Sequence, residues 1–437
     1  MANTEIRRTS GSTPTNAEKF TLSLWFKKSK NAQSSERGLL GWRENSNSGN
    51  NSLQVEFQTT DKFQVQFISN NGNDTHINLV TNRQLRDTSA WYHLVIAVDS
   101  SQTTASDRAK IYFNGVQETS FSSATYPANG RTFSSNDIQI NFGKSRGTTN
   151  SDRFFNGAMS HIHFIDGTQY QASDFGEYDA NGVWKIKTSP SVTYGNNGFF
   201  WLKDGIATTD YSPNSNTWIS GGGTLTKTED NPSNVFTTLN SLYRDGGSVI
   251  TYSNGNNTCD VGGANDWCTS PSTLGATSGK FYFEGKFTIN SGTEGYIGIA
   301  QDGNLNVKTN VPNYLGIDNY SIGYYSGNGK YYRATSSFTY GNTFTTGDIV
   351  GCAVDIDNKK IYFSKNGVWQ NSGDPTSGAT GTGAIDVSSY FITGDPYFLC
   401  FSPNQSKFEG NFGNGYFGTT AVSSAGTNAS GIGIFEY

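Results

Sequence analysis

The sequence predicts an all-β protein of two antiparallel β-sandwich domains joined by an ordered, loop-rich connector. Three observations predict it: an aromatic-rich and glycine-rich composition, period-two alternation in both halves, and a weaker pattern between them. Of 437 residues, 51 are Gly, 29 Phe and 23 Tyr, and charged residues make up only 15%. Phe and Tyr fit a pleated, half-buried surface, whereas Gly, Asn, Ser and Thr supply turns and exposed loops. A chain of this length exceeds one ordinary domain, and each half is long enough to bury its own core.

The elements follow in order. In Phe20–Lys27, the residues Phe20, Leu22, Leu24 and Phe26 share one face, which argues for a half-buried strand. Further strands are expected at Leu53–Phe57, Lys62–Ser69, Trp91–Asp99, Lys110–Asn114, Asp137–Gly143 and Ala158–Asp166. The Trp91–Asp99 run is apolar on both faces and should lie centrally, covered on both sides. From about Ala172 to Ala276, Pro190, Pro213, Pro232, Pro271 and Gly221-Gly222-Gly223 punctuate a polar stretch. Its spaced aromatics predict order, with short strands at Phe199–Leu202, Trp218–Ile219 and Val249–Tyr252 and a helical turn near Ser173–Tyr178. Alternation returns at Lys280–Asn290, where Phe281, Phe283, Phe287 and Ile289 line one face. It continues through Tyr296–Ala300, Tyr320–Tyr325, Asp348–Asp357, Lys359–Ser364, Tyr397–Ser402 and Lys407–Gly413. The runs Ile111–Val116 and Ile361–Val368 echo each other as strand, Asn-Gly turn and return strand.

A net charge of −5 provides no basic footprint, so no nucleic-acid partner is expected. No stretch approaches the roughly 20 apolar residues of a membrane span. Met1–Arg8 lacks the apolar core of a signal peptide, which predicts synthesis in a cytoplasm. Cys352 and Cys400 lie in strand-like runs and read as small core hydrophobes. Cys259 and Cys268 flank a glycine-rich loop that a disulfide could close, although cytoplasmic synthesis argues against it. Zinc is disfavoured there, because no His lies near and the usual cysteine spacing is absent.

At this point the segments resemble known families. Phe20–Phe26, Gly38–Trp42, Trp91–Val95, Ile111–Val116 and Phe155–Ser160 make the first half similar to a laminin-G-like, concanavalin A-like jelly roll. Ser278–Glu284, Gly295–Ile299, Asp348–Gly351, Ile361–Gly367 and Asn411–Gly413 make the last part similar to a SPRY domain. The resemblances divide the chain into a first sandwich at 1–171, a connector at 172–276 packed on the domains, and a SPRY-like sandwich at 277–437. Between them, Phe164–Gly167, Ser173–Gly176, Asn181–Trp184, Asn197–Phe200, Asn216–Trp218 and Asp230–Asn234 follow an order that resembles large bacteriophage proteins of the tail-fibre type.

That resemblance implies a virion surface protein, a fibre, spike or capsid decoration, made in the host cytoplasm and used for host attachment. Its implied partners are other virion proteins and host-surface polysaccharide, and its implied assembly is a homo-oligomer, a trimer if it is a fibre. The alternatives are a phage-borne polysaccharide depolymerase and an intracellular SPRY-type peptide-binding adaptor. Laminin-G-like domains sometimes bind calcium through loop oxygens, so calcium is the one cofactor the resemblance leaves open.

Catalysis is not expected. Retaining glycosidases need two carboxylates about 5 Å apart, projecting to the same face. No strand carries such a set, and Asp355-Ile356-Asp357 reads as a turn. His161 and His163, at i and i+2, lack an evident third ligand and read as packing residues. Binding is the better expectation, because exposed aromatic platforms with Asn, Asp and glycine-backbone hydrogen bonds hold the apolar faces and hydroxyls of sugars. The candidate ligand residues are Tyr324, Tyr325, Asn328, Tyr331, Tyr332, Arg333, Trp267, Trp218 and Trp369, with no catalytic and no metal residue among them.

Overall fold

The computed structural model describes all residues except 1–3, 10, 32–36, 45–50, 70–72, 134–136, 146–152, 204–207, 244–249, 302–313 and 428–432. The chain divides into two units, Met1–Lys227 with Asn231–Ser233, and Thr228–Asp230 with Asn234–Tyr437. Both are built from antiparallel strands, and among the described residues the helical elements are three-residue 3-10 turns.

In the first unit, alternation produces two facing sheets. One has eight strands, in the spatial order Phe121–Thr125, Asp74–Gln84, Lys62–Ser69, Ser52–Phe57, Arg37–Glu44, Ile138–Phe142, Glu5–Thr9 and Ile219–Gly222. The other has six, in the order Phe199–Trp201, Gly157–Asp166, Lys19–Lys28, Tyr92–Asp99, Ala109–Phe113 and Val116–Gln117. Phe20, Leu22, Leu24 and Phe26 join Leu94, Ile96 and Val98 in one core with Trp42, Val55, Phe63 and Phe67. Each such side chain contributes roughly 1.5–3 kcal/mol by leaving water.

The stretch read as a connector is divided between the units. Phe199–Trp201 pairs with Gly157–Asp166, and Ile219–Gly222 pairs with Glu5–Thr9, so these residues extend both sheets of the first unit. Thr251–Ser253, Thr258–Asp260 and Ser270–Ala276 join the sheet of the second unit. Strands of three or four residues are too short for alternation to register, which is why this stretch looks like linker. Val249, expected to open a strand, lies outside the described residues.

The second unit is organised by two long strands. Lys280–Gln301 and Tyr397–Asn411 run antiparallel, with a register break between Ile289 and Glu294. Before the break, Lys280–Lys286 also pairs with Ile349–Asp355; after it, Tyr296–Ala300 pairs with Ser321–Tyr325. A bulge of this kind bends a sheet. The two limbs enclose a core of Phe283, Phe287, Ile297, Ile299, Ile322, Tyr324, Cys352, Phe363, Phe401 and Phe408. Phe281, predicted on the same face, sits at the strand's start and stays exposed.

The echo between the halves has a structural basis. Asn114-Gly115 and Asn366-Gly367 both take positive φ, 48° and 83° in one, 47° and 78° in the other. Both are two-residue hairpin turns of the kind that suits the right-handed twist of paired strands. The four cysteines are buried thiols, Cys259 and Cys268 are not bridged to each other, and burial pushes the Cys259 thiol up.

Candidate functional site

Strand alternation separates the aromatic residues that the sequence groups together. In the hairpin Ser321–Tyr325, Lys330–Arg333, Tyr324 points into the core, where its ring stacks on Phe363 at 5.1 Å and its hydroxyl donates to the Asn342 carbonyl. Tyr331 stacks on Phe338 at 4.9 Å, and the Arg333 guanidinium lies 3.4 Å over the Tyr390 ring. Tyr325 and Tyr332 belong to the opposite face.

On that outer face, Tyr296, Tyr314, Tyr325, Tyr332 and Trp267 converge. The Tyr296 ring stacks between Tyr314 at 5.2 Å and Tyr325 at 4.7 Å. Tyr332 meets Tyr296 edge-on at 5.5 Å, and Trp267 leans on Tyr296 at 5.0 Å. Tyr296 is buried, while the other four are half-buried. The rings can lie flat because the strand positions between them are small. Gly298 sits opposite Gly323, and a Cβ at Gly323 would fall 2.8 Å from the Tyr296 ring.

The rim is polar. Tyr325 donates to Glu294 Oε1 at 3.0 Å, and Asn404 Nδ2 donates to Glu294 Oε2 at 3.0 Å. Asn328 Nδ2 donates to the Tyr332 hydroxyl at 2.9 Å. Burial raises the phenols of Tyr296 and Tyr325, the latter helped by Glu294, so both hydroxyls stay protonated donors at neutral pH. The result is an apolar, π-rich floor with fixed donors and one carboxylate.

Four of the nine predicted residues are brought into or beside this face, Trp267, Tyr325, Tyr332 and, at the rim, Asn328, whereas Arg333 shares the opposite side of the hairpin with Tyr331. Tyr324 and Tyr331 pack on the other side, and Trp369 lies elsewhere on the unit, edge-on to Tyr282 at 6.1 Å. Trp218 corrects the expectation of a ligand platform. It is 3% exposed in the first unit's core, stacked on Trp201 at 5.2 Å, because the short Ile219–Gly222 strand it precedes completes a sheet. Sequence reading missed Tyr296, Tyr314, Glu294 and Asn404. Tyr296 had a signal, since it alternates with the core residues Ile297 and Ile299 and must point outward.

The remaining chemical candidates are structural. Asp355 accepts from Asn358 N at 3.0 Å and pairs with Lys280, and Asp357 accepts from Gly279 N, so both serve a turn. His163 stacks on Phe200 at 3.9 Å and bonds the Tyr194 hydroxyl, while His161 occupies a bulge and bonds Ser160.

The fold and this face define a pair of concanavalin A-like sandwiches, the second carrying a half-buried aromatic cluster. Residues 3–172 match the family described as the Concanavalin A-like lectin/glucanases superfamily, and residues 280–414 match the SPRY domain family. The chain thus carries a laminin-G-type domain followed by a SPRY domain. Ran-binding protein 9 of Danio rerio is 40% identical over 96 residues, covering 21% of this chain and 15% of that protein. Ran-binding protein 9 of Homo sapiens is 38% identical over 96 residues, covering 21% of this chain and 12% of that protein. The chain therefore spans only a small fraction of these relatives' length. A human SPRY domain crystal structure aligns with a TM-score of 0.26 at 16% identity, covering 37% of this chain and 93% of that one.

These relatives correct the biological setting inferred from the connector. They are animal Ran-binding proteins, which overturns the reading as a bacteriophage tail-fibre or capsid protein on the virion surface. With it fall the virion and host-polysaccharide partners, host attachment and the fibre-type oligomer. The physical reason is that short Gly-, Asn- and Trp-containing turns recur wherever strands are joined, so their order carried little lineage information.

Proposed function

We propose that this protein is an intracellular adaptor whose SPRY sandwich binds an extended peptide segment of a partner protein, without catalysis and without a cofactor. One observation carries the reading: the outward face of Trp267, Tyr325 and Tyr332 on a Tyr296 floor, rimmed by Glu294 and Asn328. Rigid aromatic side chains supply large contact area at low entropic cost and dominate binding energy where they cluster. The Glu294 carboxylate favours a segment carrying Lys or Arg beside its apolar residues. The relatives are named for binding Ran, and that specific partner is not carried over to a chain sharing so little of their length.

Selection from an mRNA-displayed random peptide library tests the proposal. The full chain should enrich a consensus that the Trp267→Ala/Tyr332→Ala variant no longer binds, with affinity down at least tenfold. Trp369→Ala, on another face, should retain it. Equal enrichment by the double variant would sink the assignment.

A further inference from the structure

The other outer face of the second unit is occupied by the chain itself. Tyr282 and Glu284 project outward from Lys280–Gln301, flanked by Tyr362 and Ser364 on one side and Asn411 on the other. The residues Ile434–Tyr437 lie across this face. Glu284, fully buried, captures their main chain. Its Oε2 accepts from Glu436 N at 3.0 Å and its Oε1 from Tyr437 N at 2.9 Å. Asn411 Nδ2 completes the clasp, donating to the Ile434 carbonyl at 3.0 Å and to Glu284 at 3.1 Å. Phe435 packs on Tyr282 at 5.1 Å, and Tyr437 covers Gly367, where a Cβ would fall 2.7 Å from its ring.

We propose that this face is a second peptide-binding groove, held in cis by Ile434–Tyr437 and open in trans to an extended partner segment of the same chemistry. That chemistry is an aromatic residue followed by two consecutive residues with free main-chain N–H groups. Three features point to exchange of the occupant. Capture runs through main-chain N–H groups, which any non-proline segment offers. A buried carboxylate stripped to its Tyr282 and Asn411 donors is costly, so the groove favours a replacement occupant over vacancy. The strap is otherwise held by short local contacts: Ile434–Phe435 pairs in a two-residue ladder with Gly426–Thr427, Ile434 N donates to the Gly413 carbonyl at 2.9 Å and Ser423 N donates to the Glu436 carboxylate at 2.6 Å, while Tyr437 is 52% exposed. The groove is separate from the Trp267 face, so either reading can fail alone.

The test opens the strap in the full chain with Phe435→Ala/Glu436→Pro, which removes the ring and one captured N–H. A fluorescent peptide, Gly-Ile-Gly-Ile-Phe-Glu-Tyr, is then titrated. The opened variant should bind saturably and at least tenfold more tightly than the unaltered chain, and adding Glu284→Gln should abolish the gain. A folded opened variant that binds no better overturns the proposal. Should that variant misfold, hydrogen exchange on the unaltered chain decides. Amides of Glu436 and Tyr437 exchanging at least a hundredfold faster than those of the 280–286 strand support a strap that opens locally. Protection equal to that strand shows an integral element and overturns it.

Discussion

The two sandwiches finish their outer sheet faces differently. In the first unit, the segment following Gly157–Asp166 folds back over the six-stranded sheet and covers it. Tyr170, Phe175, Trp184, Val192 and Tyr194 pack against Val95, Ala97, Tyr112 and Ile165. His93 is enclosed there, stacked between Trp25 at 4.8 Å and Trp184 at 5.9 Å. Trp184 Nε1 donates to its Nδ1, so the ring is neutral and its Nε2–H donates to Ser23. In the second unit, the tyrosines around Tyr296 form an equally aromatic face that the described residues leave half-open. Aromatic content therefore does not distinguish a core layer from a platform. What distinguishes them is whether another piece of chain lies on top.

The comparison breaks most directly on paired tryptophan substitutions. Trp218→Ala should cost the first unit about 3–5 kcal/mol, the range for emptying a large buried site. Trp267→Ala should cost the second unit only about 1–2 kcal/mol, because its ring keeps part of its surface in water, while peptide binding is lost. Thermal unfolding of the two variants checks this, and equal losses would mean that the Trp267 face is core.

Acid should separate the units next. All four histidines lie in the first unit. Burial brings His93 down to about 3, and burial with neighbouring histidines lowers His163. A base whose folded pKa is depressed contributes its full stability above the ordinary value of 6.5. That contribution is lost as pH falls from there toward 3. The second unit has no histidine, and Lys360 with Ser388 lowers Asp386 to about 2, so that contribution is lost only as pH falls from 3.8 toward 2. The first unit should therefore begin to unfold at the higher pH. Unit-resolved NMR along an acid titration measures it, and loss of the second unit first would contradict the assignment.

The echoed turns sharpen the contrast further. Gly115→Ala and Gly367→Ala both place a Cβ at positive φ, 83° and 78°. At Gly115 the Cβ falls 2.4 Å from the Trp184 ring, held within the covering layer, and about 2–3 kcal/mol is expected. At Gly367 the exposed Tyr437 ring can move away, and about 1 kcal/mol is expected. The smallest effect is Tyr332→Phe, which removes only the hydroxyl that Asn328 reaches and should change stability by less than about 0.5 kcal/mol.

Much of the fold was legible. The alternation of Phe20, Leu22, Leu24 and Phe26 placed a strand within two residues of its observed ends, and Lys62–Ser69 matched as read. Asp74–Gln84 was missed, because its polar outer residues and Asn78 blur the pattern in a strand whose Ile77 and Leu79 face the core. The candidate site was half legible: Trp267, Tyr325, Tyr332 and Asn328 were named, but so were the core residues Trp218 and Tyr324. Tyr324 and Tyr325 are neighbours of identical chemistry, and only the pleat decides which is buried.

By itself, then, the sequence determined the all-β class, two antiparallel sandwiches and the Asn-Gly turns, because period-two burial and turn chemistry are encoded over a few neighbouring residues. Only the tertiary structure decided which aromatic faces are covered and which remain available. That depends on segments distant in the chain, Trp184 over His93 and Ile434–Tyr437 over Glu284, whose docking no local pattern records.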